Sequence, residues 1–177
     1  MLGSSQLEAR AGRLPALDVI TLGAVCAVVL LVSLPCLQGF AVRENEGDAR
    51  RLLPWLSQRL NRPEAAAAGL GLEQLLERRS AQATERGLDL RDAHLAADGR
   101  TLRHHGYLFA LEPPDPQGLR AIVAWPLEHG RTGRTSFRFV PARGLLEHPD
   151  PEGRWSGARG PSAEELAAAQ GWQPVGG

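Results

Sequence analysis

The residues of this 177-residue chain best suited to chemistry are its five histidines, and their spacing decides what chemistry they offer. His104 and His105 are adjacent. On a strand, neighbouring side chains point to opposite faces, so this pair is not expected to grip one metal ion from the same side. His94, His129 and His148 sit among turn-like residues and read as solvated loop histidines. A serine, histidine and aspartate for nucleophilic catalysis can be drawn from Ser136, His129 and Asp150, but no nucleophile-elbow motif accompanies them. The run Gly130-Arg131-Thr132-Gly133-Arg134 offers backbone donors and guanidinium groups to an anion, though a β-turn between strands is the plainer reading. The sequence therefore predicts no catalytic residue, no cofactor and no metal ligand, and the chain is expected not to be an enzyme.

Composition narrows the classes further. All 20 basic residues are Arg. Once Arg10, Arg13, Glu8 and Asp18 are set aside, the part beyond Val42 carries 18 Arg against 18 acidic residues, so it has no electrostatic case for holding a nucleic-acid backbone. Neither nucleic acid nor a small-molecule substrate is an expected partner. Cys26 and Cys36 are the only cysteines and lie in an apolar stretch, which leaves the rest of the chain without disulfides or thiol chemistry.

That stretch, Leu14 to Val42, organises everything else. From Val19 to Val42 there is no charged residue, and as a helix these positions reach roughly 36 Å, enough to cross a hydrocarbon core of about 30 Å. A retained transmembrane helix competes with a cleaved signal peptide, for which Gly39 and Ala41 supply small residues near a cleavage point. The apolar run exceeds the usual 7–15 residues of a signal h-region, which favours retention. A lipoprotein signal ending at Cys36 is disfavoured by Leu34 and Pro35 before it. Arg10 and Arg13 on one side balance Arg43, Arg50 and Arg51 on the other, so the positive-inside count does not fix orientation. The short N-terminal flank argues for a single-pass inner-membrane protein with its C-terminal domain exported.

Within this segment Gly12 and Arg13 precede the apolar run, Asp18 lies just inside it, Pro35 follows seventeen residues later, and RENEGDARRLLPWLSQRL continues it. Together these resemble the N-terminal helix of type IV pilins and type II secretion pseudopilins. The resemblance implies cleavage between Arg13 and Leu14, with Leu14 in the place of the family's first mature Phe. It also implies that Asp18, standing where the family has Glu, meets a neighbouring subunit's N-terminal amine. Here Arg13 stands where the family's leader ends in Gly.

Beyond the membrane the helix is expected to continue. Leu52, Leu53, Leu56 and Leu60 recur at three- and four-residue spacing and define one apolar face, with Pro54 predicting a kink or a fresh start. A second helical stretch is expected over Pro63 to Glu85, carrying Leu70, Leu72, Leu75 and Leu76, split at Gly69 and Gly71 and closed by Gly87. The period then changes. Tyr107 to Leu111, Arg120 to Trp125 and Thr135 to Val140 read as three antiparallel strands, with a fourth from Gly144 to Leu146 or Leu88 to Leu90. In SFRFV, Phe137 and Phe139 share one face, and Leu53, Leu56 and Leu60 are expected to be buried against one or other of them.

The expected fold is thus α+β: a long N-terminal transmembrane helix continuing into a small domain with helices packed on a three- to four-stranded antiparallel sheet. Its parts are a leader or cytoplasmic segment over 1–13, the transmembrane helix over 14–42, the α+β domain over 43–147 and a Pro/Gly-rich tail over 148–177. In the tail a short helix over Ser162 to Gln170 is capped by Ser162 and Glu165, the rest is expected to be extended or mobile, and Trp155 and Trp172 are its anchors. Helix followed by small antiparallel sheet also resembles pilin-like proteins, as do Gly106, Tyr107, Phe109, Ala124, Pro126, Gly133 and Phe137 in the strand region. The resemblance implies a membrane-anchored structural or accessory subunit of a bacterial envelope or secretion assembly, with membrane lipid and other pilin-like subunits or itself as partners. The rival expectation is a secreted or anchored module binding a protein or glycan.

Overall fold

A computed structural model describes residues 16–67, 69, 71–77, 90–168 and 171–176. Arg13 and Leu14, the stretch beyond Glu77 assigned to the second helix, Leu70, Gly87 and most of the alternative strand at Leu88 to Leu90 lie outside them.

Helix α1 spans Ala16–Leu60 in one piece. Neither Pro35 nor Pro54 ends it. A proline inside a helix costs about 3 kcal/mol. Around Pro54, Leu52, Leu53, Leu56 and Leu60 are all buried to 2% exposure or less. Each contributes roughly 1.5–3 kcal/mol, which together exceeds the proline penalty and keeps the helix continuous. Two short helices follow, α2 (Pro63–Ala67) and α3 (Leu72–Glu77), separated at Gly69, whose φ of +62° is a conformation open to glycine.

By contacts, the chain divides into a unit ending at Gly39 and a unit beginning at Phe40. In the first, the described residues form the apolar part of α1, with its large side chains outward: Ile20 is 68% exposed and Leu31 70%. In the second, an antiparallel meander of seven strands runs in strictly sequential order. Its strands are β1 (His94–Leu95), β2 (Leu102–His104), β3 (Tyr107–Leu111), β4 (Ile122–Pro126), β5 (Ser136–Val140), β6 (Gly144–His148) and β7 (Gln173–Pro174). The α+β expectation holds, and the strand count is larger than expected. The three additional strands are two or three residues long, too short for alternation to register in the sequence.

The register sorts the core into two layers. Phe109 pairs with Ala124 and Ala124 with Phe137, while Leu111, Ile122 and Phe139 align one step along, which places them all on one face. There they pack with Ala49, Leu52, Leu53, Leu56 and Leu60 of α1 and with Leu72 of α3, as the leucine spacing predicted. Tyr107 lies in this layer with its hydroxyl donating to the Thr135 carbonyl at 2.7 Å. Burial, with the carboxylate of Glu46 adding to it, pushes the Tyr107 phenol far above its usual range.

The opposite face is covered as well. Leu108, Val123 and Trp125 pack against Trp155 and Leu166, with Trp172 alongside. The segment after β6, read from its prolines and glycines as extended or mobile, thus forms the second core layer. Trp125 Nε1 donates to the Gly157 carbonyl at 2.9 Å, and a Cβ at Gly160 would stand 2.5 Å from the Trp125 ring, so glycine there permits the approach. Helix α4 (Ala163–Ala168) opens with the expected capping box: Ser162 N donates to Glu165 Oε2 at 2.8 Å, and Glu165 N to Ser162 Oγ at 3.2 Å. The Ser162 amide foremost, and then the Ser162 hydroxyl, lower the Glu165 carboxyl below its usual value. Strand β7 then pairs with β6 through Leu146↔Pro174 and Glu147↔Gln173. Arg138, on this second face, forms a two-pronged pair with Glu112 at 2.7 and 2.6 Å.

Candidate functional site

One feature lies on the apolar part of α1. Asp18 falls in the helix's first turn, exposed, where the aligned N–H groups favour a carboxylate by about 0.3–1 kcal/mol. Pro35 is exposed on the same helix. Among the described residues, Asp18–Leu60 is the one helix long and apolar enough to cross a membrane, and it lies near the N-terminus.

The other feature is built where β2 turns into β3. His104 ends β2, Tyr107 begins β3, and the two pair directly, leaving His105 and Gly106 as a two-residue turn. His105 takes φ +47°, the only positive φ at a non-glycine among the described residues. That conformation costs an L-residue roughly 1–2 kcal/mol, although His is among the types that tolerate it best. It also takes His105 out of the strand's alternation. The two imidazoles therefore lie together, stacked with centroids 4.0 Å apart and planes 25° from parallel. The expectation that adjacent histidines diverge fails here because only the first is on a strand.

Two aspartates converge on the pair from different elements. Extending the β1–β2 register two steps beyond His94↔Arg103 brings Asp92 opposite His105. Asp92 Oδ1 lies 3.3 Å from His104 Nδ1, and its Oδ2 lies 3.3 Å from His105 Nε2. From the helix side, Asp48 Oδ2 accepts from His105 Nδ1 at 2.6 Å, and Asp48 also pairs with Arg51. Helix and turn can meet this closely because residue 106 is glycine: a Cβ there would stand 2.5 Å from Asn45 Nδ2 and 2.6 Å from Thr132 Cβ. Asn45 Nδ2 in turn donates to the Thr132 carbonyl at 3.0 Å. His104 is 3% exposed, while His105 and Asp92 reach the surface. Sequence reading missed both aspartates. The available signal was the dipeptide His105-Gly106 between apolar segments, a two-residue hairpin turn of the kind that moves its first residue off the strand.

The other sequence candidates are spent on structure. Asp150 is fully buried and accepts from the amides of Arg154 at 3.1 Å and Trp155 at 2.9 Å, which makes it a turn cap. Ser136 is also fully buried and pairs across the sheet with His148, which is itself packed against Trp155 and Trp172. In the glycine-arginine loop, Gly130 N donates to Gly133 O, Arg131 N and Thr132 N to Glu128 O, and Arg134 N to Glu46 Oε1, so these amides are not offered to an anion. A pocket of about 560 Å³ beside Trp125 is lined by His94, Asp98, Arg103, Leu108 and Leu127.

No protein-family model, no curated protein and no solved structure matches this chain.

Proposed function

We propose that the chain is a membrane-anchored, pilin-like structural or accessory subunit of a bacterial envelope or secretion assembly, held in the inner membrane by one helix with its α+β domain exported. The observation that carries this reading is α1 itself, a single helix of 45 residues serving two environments. From Val19 to Phe40, twelve large apolar side chains are more than half exposed. Withdrawing each from water is worth roughly 1.5–3 kcal/mol, on the order of 20 kcal/mol together, so a lipid or protein surface covers them. From Ala49 to Leu60 the same helix buries its leucines against an antiparallel sheet. A helix that begins as a membrane span and ends as the spine of a small sheet domain is the plan implied by the resemblance at Asp18 and Pro35.

The test is the N-terminal mass of the mature protein recovered from membranes. A start at Leu14 is the expected result. A start near Val42 with the protein released from the membrane overturns the anchor and favours the secreted binding module. An intact N-terminus keeps the anchor and removes the pilin-type processing.

A further inference from the structure

We infer that Asp92, His104 and His105 form a binding site for a divalent transition-metal ion of the zinc class, with Asp48 orienting His105 from helix α1. The inference is independent of the pilin-like reading and rests on the turn alone. The candidate ligand atoms of the three residues lie within 4.8 Å of one another. Bonds of about 2.0–2.1 Å in tetrahedral geometry set neighbouring ligand atoms roughly 3.3 Å apart. Each Asp92 oxygen already lies about that far from one histidine, Oδ1 at 3.3 Å from His104 Nδ1 and Oδ2 at 3.3 Å from His105 Nε2. Bringing one Asp92 oxygen and both nitrogens onto a single ion takes a rotation of the Asp92 carboxylate and a small adjustment of the His105 ring, both of which are at the surface.

The hydrogen-bond pattern fits ligation. A carboxylate only accepts, so the contact with Asp48 Oδ2 puts a proton on His105 Nδ1 and makes Nε2, on the side of Asp92, the nitrogen that would take an ion in place of a proton. A carboxylate that fixes the tautomer and orientation of a liganding histidine is the usual outer partner of such sites. The backbone points the same way. Position 105 keeps a histidine at φ +47° where glycine would be unstrained, so its side chain returns something that offsets the strain.

The donor set selects the ion. Two imidazoles and one carboxylate suit zinc, cobalt, nickel or copper, whereas calcium and magnesium call for an all-oxygen shell. Three protein ligands leave a fourth position, and with Asp92 and His105 exposed it faces solvent, open to water or to a donor from another molecule. Bound there, the ion would fasten β1 and the β2–β3 turn together and, through Asp48, to α1.

The experiment uses the full chain in detergent, stripped of metal, with Cys26 and Cys36 replaced by serine so that no thiol contributes. Titration with Zn²⁺ alone is followed by calorimetry and thermal unfolding, and titration with Co²⁺ by its visible absorption. Expected are one equivalent bound, a raised unfolding midpoint and a tetrahedral cobalt spectrum. Asp92→Asn and His105→Gly should each abolish saturable binding, while Asp48→Asn should weaken it roughly 10–100-fold. His105→Gly also relieves the backbone strain, so its metal-free midpoint should equal or exceed that of the parent, which separates lost ligation from lost folding. No saturable binding by the parent, or equal affinity in Asp92→Asn and His105→Gly, overturns the site.

Discussion

If α1 serves two environments, one substitution should have very unequal consequences at its two ends. Leu56 is 1% exposed in the layer shared with Phe109, Ile122 and Phe137, whereas Leu37 on the same helix is 64% exposed. Leu56→Ala removes buried methyl groups and leaves a void between helix and sheet, costing about 2–5 kcal/mol. Domains of this size hold about 5–15 kcal/mol in all, so a sizeable share of the stability is at stake. At roughly 3–4 °C per kcal/mol for a domain of this length, the midpoint should fall by about 10 °C. Leu37→Ala should move it by less than about 0.5 kcal/mol, because that side chain is largely exposed. The assay is thermal unfolding in detergent followed by tryptophan fluorescence, since all four tryptophans lie beyond Phe40 and report on the sheet domain. Equal effects at the two positions, or a Leu56→Ala midpoint within error of wild type, would refute the division of the helix into a lipid-facing and a core-facing part.

Asp18→Asn should leave membrane insertion intact or slightly improved, since a carboxylate is costly within a span, while crosslinked higher-order assemblies decrease at equal protein levels; an unchanged assembly profile would leave Asp18 with its helix-terminus role alone. Glu112→Gln strands the Arg138 guanidinium and should cost about 2 kcal/mol, while Arg138→Met combined with Glu112→Leu should recover most of that loss in a double-mutant cycle. Asp98 accepts from the Thr101 hydroxyl and from the amides of Arg100 and Thr101, and the hydroxyl bond foremost lowers its carboxyl below the usual range. A depressed folded value means the stabilisation is complete above the ordinary carboxylate range and lost as pH falls through the lowered one, so Asp98→Asn should flatten that acid limb of the unfolding profile. The same acid limb in wild type and variant would count against this role for the turn.

What was legible in the sequence follows how each element advertises itself. Leu52, Leu53, Leu56 and Leu60 announce a buried helix face through their spacing, and Phe137 and Phe139 announce a strand face through alternation; both lie in the same core layer. The continuous passage of α1 through Pro54 was not legible, because a local breaker was outweighed by burial against strands roughly fifty to eighty residues away. Prolines and glycines after His148 read as a tail, but Gly157 and Gly160 serve the approach of that segment to Trp125, a role set by a distant side chain. The histidine cluster was hidden for a similar reason. Its geometry depends on one backbone angle at His105, on a register that carries Asp92 to the turn, and on a helix that delivers Asp48 from 57 residues earlier.

The strictly sequential strand order has a consequence for how the chain acquires its shape. Every strand from β2 to β6 pairs with the one just made, so the middle of the sheet can zip together from local contacts, a topology associated with fast folding. The two layers that cover it come from opposite ends of the chain. During synthesis the core-facing leucines of α1 emerge well before Phe109, Ile122 and Phe137 exist to receive them, and Trp125 waits for Trp155 and Leu166. A ribosome-bound chain therefore carries a naked apolar stripe on α1 until β5 is complete, and a chain ending before Trp155 leaves a tryptophan-lined sheet face bare. Premature termination before Trp155 should thus yield aggregation-prone products rather than slightly shortened folded ones.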